Sequence, residues 1–107
     1  MVSMITFNGI INEVAECYGV DADDLLYGDR RQPACEARHV AMYLCHIILG
    51  MELKVISAHF GQNRTIANYA VKKVSAWVAQ PRFNRDAAKC VETITNKYKE
   101  NDNGHQS

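Results

Sequence analysis

The chain holds 107 residues, 48% of them apolar, with 12 Lys plus Arg against 12 Asp plus Glu. That length suits one domain with a modest core, and a formal charge of zero excludes a uniformly basic coat. No apolar run is long enough to span a membrane and no secretory signal is visible, so the expected location is the cytoplasm.

Phe7, Ile10, Ile11, Val14, Ala15 and Tyr18 recur at helical spacing and predict a first helix over 5–18, stopped at Gly19. Asp21 is a good N-cap, and acids in the first turn suit the helix dipole. A short helix over 22–27 should then offer Leu25 and Leu26 to the core, with Gly28 ending it. Asp29-Arg30-Arg31-Gln32-Pro33 reads as a loop, basic at its centre. Alone it is a solvated connector that presents Arg30 and Arg31 as a pair of cations.

Pro33 fits the first turn of a helix that runs to Leu49 and stops at Gly50. Val40, Tyr43, Leu44, Ile47 and Ile48 are its expected buried stripe, with Arg38 and His39 on an early, more polar side. His46 reads as a hydrogen-bonded helix residue, not a ligand. A helix over 51–60 follows, then a turn at Phe60-Gly61-Gln62 and a longer helix over 63–80. Leu53, Ile56 and Phe60 form one apolar stripe; Ile66, Ala70, Val74 and Trp77 form the next. Two helices joined by so short a glycine turn make a helix-turn-helix. Pro81 ends the second, Asn84 is a candidate N-cap, and a last helix is expected over 86–98. No strand is expected. The reading is all-α, with about six helices in one domain over 1–99 and a disordered polar tail over 100–107.

Thr65, Asn68 and Lys72 lie away from the second apolar stripe, and Asn63 and Arg64 sit at its N-terminal end. In helix-turn-helix proteins this end of the second helix touches base edges. Arg suits guanine, Asn suits adenine, and the Thr methyl packs on thymine. The plain alternative is a solvated face on a packed helix. Charge distribution favours contact with DNA. Residues 1–29 hold six acids and no Lys or Arg, while residues 54–85 hold six bases and no acid. Phosphate attraction acts over a Debye length of about 8–10 Å, so local sign outweighs the total.

The four cysteines form no C-x-x-C pair, and buried or half-buried thiols are expected. Cys35, His39, Cys45 and His46 match no standard zinc spacing, so no metal and no cofactor is expected. No nucleophile–base or paired-carboxylate constellation stands out, which argues against an enzyme.

The segments VAECYGVDADDLL, ARHVAMYLCHIILG and FGQNRTIANYAVKKV, in this order, resemble the C-terminal DNA-binding domain of the bacterial replication initiator DnaA over about residues 8–98. The resemblance implies a compact bundle of about six helices, related to the Trp repressor fold. It implies a minor-groove Arg at Arg30 and a phosphate contact at Arg38. The recognition helix of that family begins Asp-His-Thr-Thr, where this chain has Asn63-Arg64-Thr65-Ile66. The base-reading groups therefore differ, the turn is one residue shorter, and the initiator's own target is not expected. No phosphate-binding G-x-x-x-x-G-K-[ST] loop is present, so ATP-driven origin melting is not expected.

The expected function is sequence-specific binding of double-stranded DNA in transcriptional regulation. Regulators of phage-like gene-transfer agents built on a similar domain offer an analogy. The candidate contacts are Arg30, Arg31, Arg38, Lys54, Gln62, Asn63, Arg64, Thr65, Asn68, Lys72 and Lys73. A second regulator subunit or RNA polymerase is a candidate partner. The alternatives are a protein-interaction module that has kept the fold, and a replication accessory competing for initiator sites.

Overall fold

Thr6 starts the first helix by accepting the Gly9 N–H on its Oγ1 at 2.9 Å. In the computed structural model, residues 6–27 and 33–106 are described, with side chains through Tyr98. The order is α1 (Phe7–Tyr18), α2 (Ala22–Tyr27), α3 (Ala34–Leu49), α4 (Leu53–His59), α5 (Arg64–Ala79), a 3-10 turn at Pro81–Phe83, and α6 (Arg85–Gln106). Six α-helices and no strand make up the described residues, and the all-α expectation holds. The loop carrying Arg30 and Arg31 lies outside them.

α3 packs against every other α-helix. Its face was judged only in part from sequence: Val40 and Leu44 are buried as expected. Ile47 is 45% exposed, and Tyr43 and Ile48 are half-buried. Beside Val40 and Leu44, the buried face carries Ala34, Ala37, Ala41, Met42 and Cys45. Small residues on that face let neighbouring helices approach closely, and Ile47 lies off it despite its size. Around α3 the core gathers Ile10, Val14, Leu25, Ile56, Val74 and Ile94. Each such side chain stabilises the fold by about 1.5–3 kcal/mol on burial.

Arg38, placed on a polar side by sequence, is 3% exposed. Its Nε donates to the Leu25 carbonyl at 2.7 Å and its Nη2 to the Asp24 carbonyl at 3.0 Å. Both carbonyls belong to the last turn of α2, where no intrahelical donor remains. A cation there also meets the negative end of the helix dipole. His39, the next residue, is buried as well. On the other side of α3, Tyr18 donates to Glu36 Oε2 at 2.7 Å, tying α1 to α3.

The α4–α5 connection follows the expected turn. Gly61 has φ +63°, a left-handed conformation that costs a side-chain-bearing residue more than glycine. Its N–H reaches the Ala58 carbonyl, and the Gln62 N–H reaches the Ser57 carbonyl at 2.9 Å. This pair of bonds is a Schellman cap. Phe60 is driven into the core, edge-on to Phe7 with ring centroids 5.5 Å apart. His46 Nδ1 lies 2.9 Å from the Met51 carbonyl and ties α3 to the start of α4.

Asn84 Oδ1 accepts from the Ala87 N–H at 3.1 Å and caps α6, as its sequence position suggested. Lys97 pairs with Glu13 of α1. A Cβ added at Gly9 would stand 3.3 Å from the Tyr98 hydroxyl, so glycine admits the close approach of α6. α6 continues to Gln106, past the Tyr98 limit expected, where a disordered tail was anticipated. No proline interrupts residues 99–106, so the backbone bond pattern carries on.

Candidate nucleic-acid interface

Asn63 sits just before the first turn of α5, with extended backbone, and its Oδ1 accepts from the Ile66 N–H at 2.9 Å. It is the N-cap of the helix. Reading adenine takes both the acceptor and the donor of an Asn amide. Here the acceptor is engaged, so Asn63 shapes the start of α5 and is poorly placed as a bidentate base reader. The signal was present in sequence, because Asn is a favoured N-cap.

Arg64, Thr65, Asn68 and Lys72 are all exposed, on the side of α5 opposite buried Ala67, Ala70 and Val74. They form a continuous ridge along the first two turns and beyond. No described hydrogen bond engages the Asn68 amide, which leaves its donor and acceptor both available. Lys54, exposed at the start of α4, lines a shallow hollow with Arg64, His46, Leu53 and Glu52. The structure thus brings Lys54 beside the N-terminal end of α5.

Lys73 is half-buried. Its ammonium lies 5.0 Å from the centre of the Tyr69 ring and 5.2 Å from that of Trp77. Such cation–π contacts contribute about 0.5–1 kcal/mol at exposed sites. Lys73 therefore stands on a flank of α5, held by two rings, rather than free on the crest. Tyr69 was not singled out from sequence. It is 56% exposed, and its ring also meets His39 edge-on at 6.1 Å. The clue was its spacing of four residues from both Thr65 and Lys73.

Gln62 is half-buried in the turn. It lines a cleft of about 940 Å³ with Arg38, His39, Ile66, Tyr69 and Tyr27. Burial, followed by the charges of Lys73 and Arg38, lowers the His39 pKa to about 4, against a smaller opposing pull from Glu36. Its ring is neutral near pH 7, and His39 Nδ1 has no hydrogen-bond partner among the described residues. Arg38 needs correction as a surface phosphate contact: two of its nitrogens hold α2 carbonyls, and it supports the cleft from beneath. Arg30 and Arg31 fall outside the described residues. Among the described residues, no three His, Cys, Asp or Glu side chains come together to hold a metal ion. Cys45 and Cys90 are buried and Cys35 is half-buried, but Cys17 is exposed, contrary to expectation. Among the described residues, no helix is long and apolar enough to cross a membrane.

Residues 7–74 match the family model described as bacterial dnaA protein helix-turn-helix. The chain is 36% identical over 99 residues to the chromosomal replication initiator protein DnaA of Cutibacterium acnes, covering 90% of this chain and 19% of that protein. The protein of the same name from Leifsonia xyli subsp. xyli is 32% identical over 102 residues, covering 92% of this chain and 20% of its own length. That of a Synechococcus strain is 34% identical over 92 residues, covering 84% and 20% respectively. The chain thus spans about a fifth of the length of these relatives.

Proposed function

Because the chain belongs to the bacterial DnaA helix-turn-helix family, we propose that it binds double-stranded DNA sequence-specifically and regulates transcription. The observation that carries this reading is the exposed ridge of Arg64, Thr65, Asn68 and Lys72 on α5, in a stretch with no acid from residue 54 to 85. Arg64, Thr65 and Asn68 read bases in the major groove, while Lys54, Lys72 and the ring-held Lys73 meet phosphates. Arg30 enters the adjacent minor groove, as the resemblance to the initiator domain implies. No catalysis and no cofactor belong to this role. A single small module buries a limited interface, so a second regulator subunit or RNA polymerase would supply the remaining affinity.

The departures Asn63, Arg64 and Ile66 from the family's reading residues support a target of its own. Selection of bound fragments from random DNA tests the reading. A single enriched motif, bound with strong salt dependence, is expected. Absence of salt-sensitive retention on any DNA at low ionic strength would leave only a protein-interaction role. A replication role is the second reading, favoured by the name shared by the relatives. It requires selection of the same motif that those initiators select.

A further inference from the structure

At the far end of α5 from the reading ridge, α3, α5 and α6 enclose a groove of about 600 Å³. Its apolar floor is Tyr43 and Ile47 of α3, Val78 of α5, Pro81 and Val91. Ile47 and Val78 are 45% and 36% exposed, so two large apolar side chains meet water here. Arg85 and Lys89, one helical turn apart, form a basic lip on α6, with Glu92 the single acid of the lining. No ion pair among the described residues engages Arg85 or Lys89. Thr95 Oγ1, in the groove wall, is buried without a hydrogen-bond partner.

The complement lies on the same chain. Asp23, Asp24 and Tyr27 share one side of α2, while Leu25 on the other side is buried. Both acids are exposed, and Tyr27, at 80%, is the most exposed large apolar side chain described. The pair of acids matches the Arg85–Lys89 lip, and the aromatic ring matches the apolar floor. Knob and groove sit at opposite ends of α5. Tyr27 shares a cleft with Gln62 and Ile66 at its start, whereas Val78 and Pro81 mark its finish. At about 1.5 Å per residue, a helix of this length separates them by roughly 20 Å. One copy cannot close the contact on itself.

We propose that copies of this chain associate head to tail, the α2 face of one (Asp23, Asp24, Tyr27) seated in the α3–α5–α6 groove of the next. The contact is heterologous and can extend in a row. It is small, so it is weak in free solution and gains from copies held on one lattice. It stands whether or not the chain binds DNA.

Sedimentation equilibrium of the full chain over a concentration series tests it. The wild type should show a weight-average mass that rises with concentration. Ile47→Asp in the groove and Tyr27→Ser on the knob should each return it to the monomer, with circular dichroism confirming the fold. Mixing these two variants should give a one-to-one pair and nothing larger, since one brings an intact knob and the other an intact groove. Lys89→Glu should abolish association, and mixing it with Asp23→Lys should restore it. A wild type that stays monomeric throughout overturns the proposal. So does association that survives either variant, or variants that fail to pair on mixing.

Discussion

Arg38 and Lys72 lie on α3 and α5, the two helices that meet at the centre of the molecule, and both read from sequence as phosphate contacts. Arg38 is buried and bonded to the last turn of α2; Lys72 stands in solvent. One cation holds the frame, and the other is offered outward. The contrast extends to their neighbours. Next to Arg38, His39 is a buried polar group, whereas Arg64, Thr65 and Asn68 on the same helix as Lys72 are exposed. A cationic residue in a helix-turn-helix thus signals either construction or contact, and burial decides which.

The sharpest division should come from Arg38→Met. It leaves two α2 carbonyls without their charged donor and should lower unfolding free energy by about 3 kcal/mol or more in urea titrations. If stability held and only DNA affinity fell, Arg38 would rejoin the surface contacts. The next effect belongs to His39. Its folded pKa of about 4 lies below the ordinary 6.5, so the folded state resists protonation. Its contribution should be whole above pH 6.5 and fall by on the order of 2–3 kcal/mol as pH drops from 6.5 to 4, with no further change below. His39→Gln should remove that slope; a wild type without the slope would mean that folding leaves the pKa of the ring unshifted.

On the outward side, Arg64→Ala should cost about 1–3 kcal/mol of binding to the selected motif and relax its base preference. Unfolding should move by no more than about 0.5 kcal/mol. Asn63→Ala should do the reverse, costing about 1 kcal/mol of stability through the lost cap. A loss of preference at one base pair instead would make Asn63 a reader after all. Lys72→Ala should have the smallest effect, weakening all DNA alike and lowering the logarithmic salt slope by about one. Equal losses for Arg64→Ala and Lys72→Ala on every sequence would erase the distinction between reading and holding.

Helix order was legible because period, caps and glycines agreed: Gly19, Gly50 and Gly61 each ended a helix as expected. The ridge on α5 was legible for the same reason, since exposure follows from the opposite apolar stripe. The inward face of α3 was legible only in part, at Val40 and Leu44. Its alanines carry little hydropathy, while Ile47 and Ile48 carry much, so size misled where contact depended on smallness. Ala34, Ala37 and Ala41 at helical spacing were the overlooked sign. The Asn63 cap is local and readable, whereas the fate of Arg38 depended on which backbone groups stood beside it. Arg38 meets carbonyls thirteen and fourteen residues away, a long-range fact that local pattern does not encode.

Trp77 is the chain's sole tryptophan, and Lys73 rests its ammonium over that ring from the same helix that bears the ridge. The protein thereby carries its own optical gauge. Any polyanion that draws the ammonium away strips a cation from the indole's π cloud, and the emission of one fluorophore then registers the event without a label.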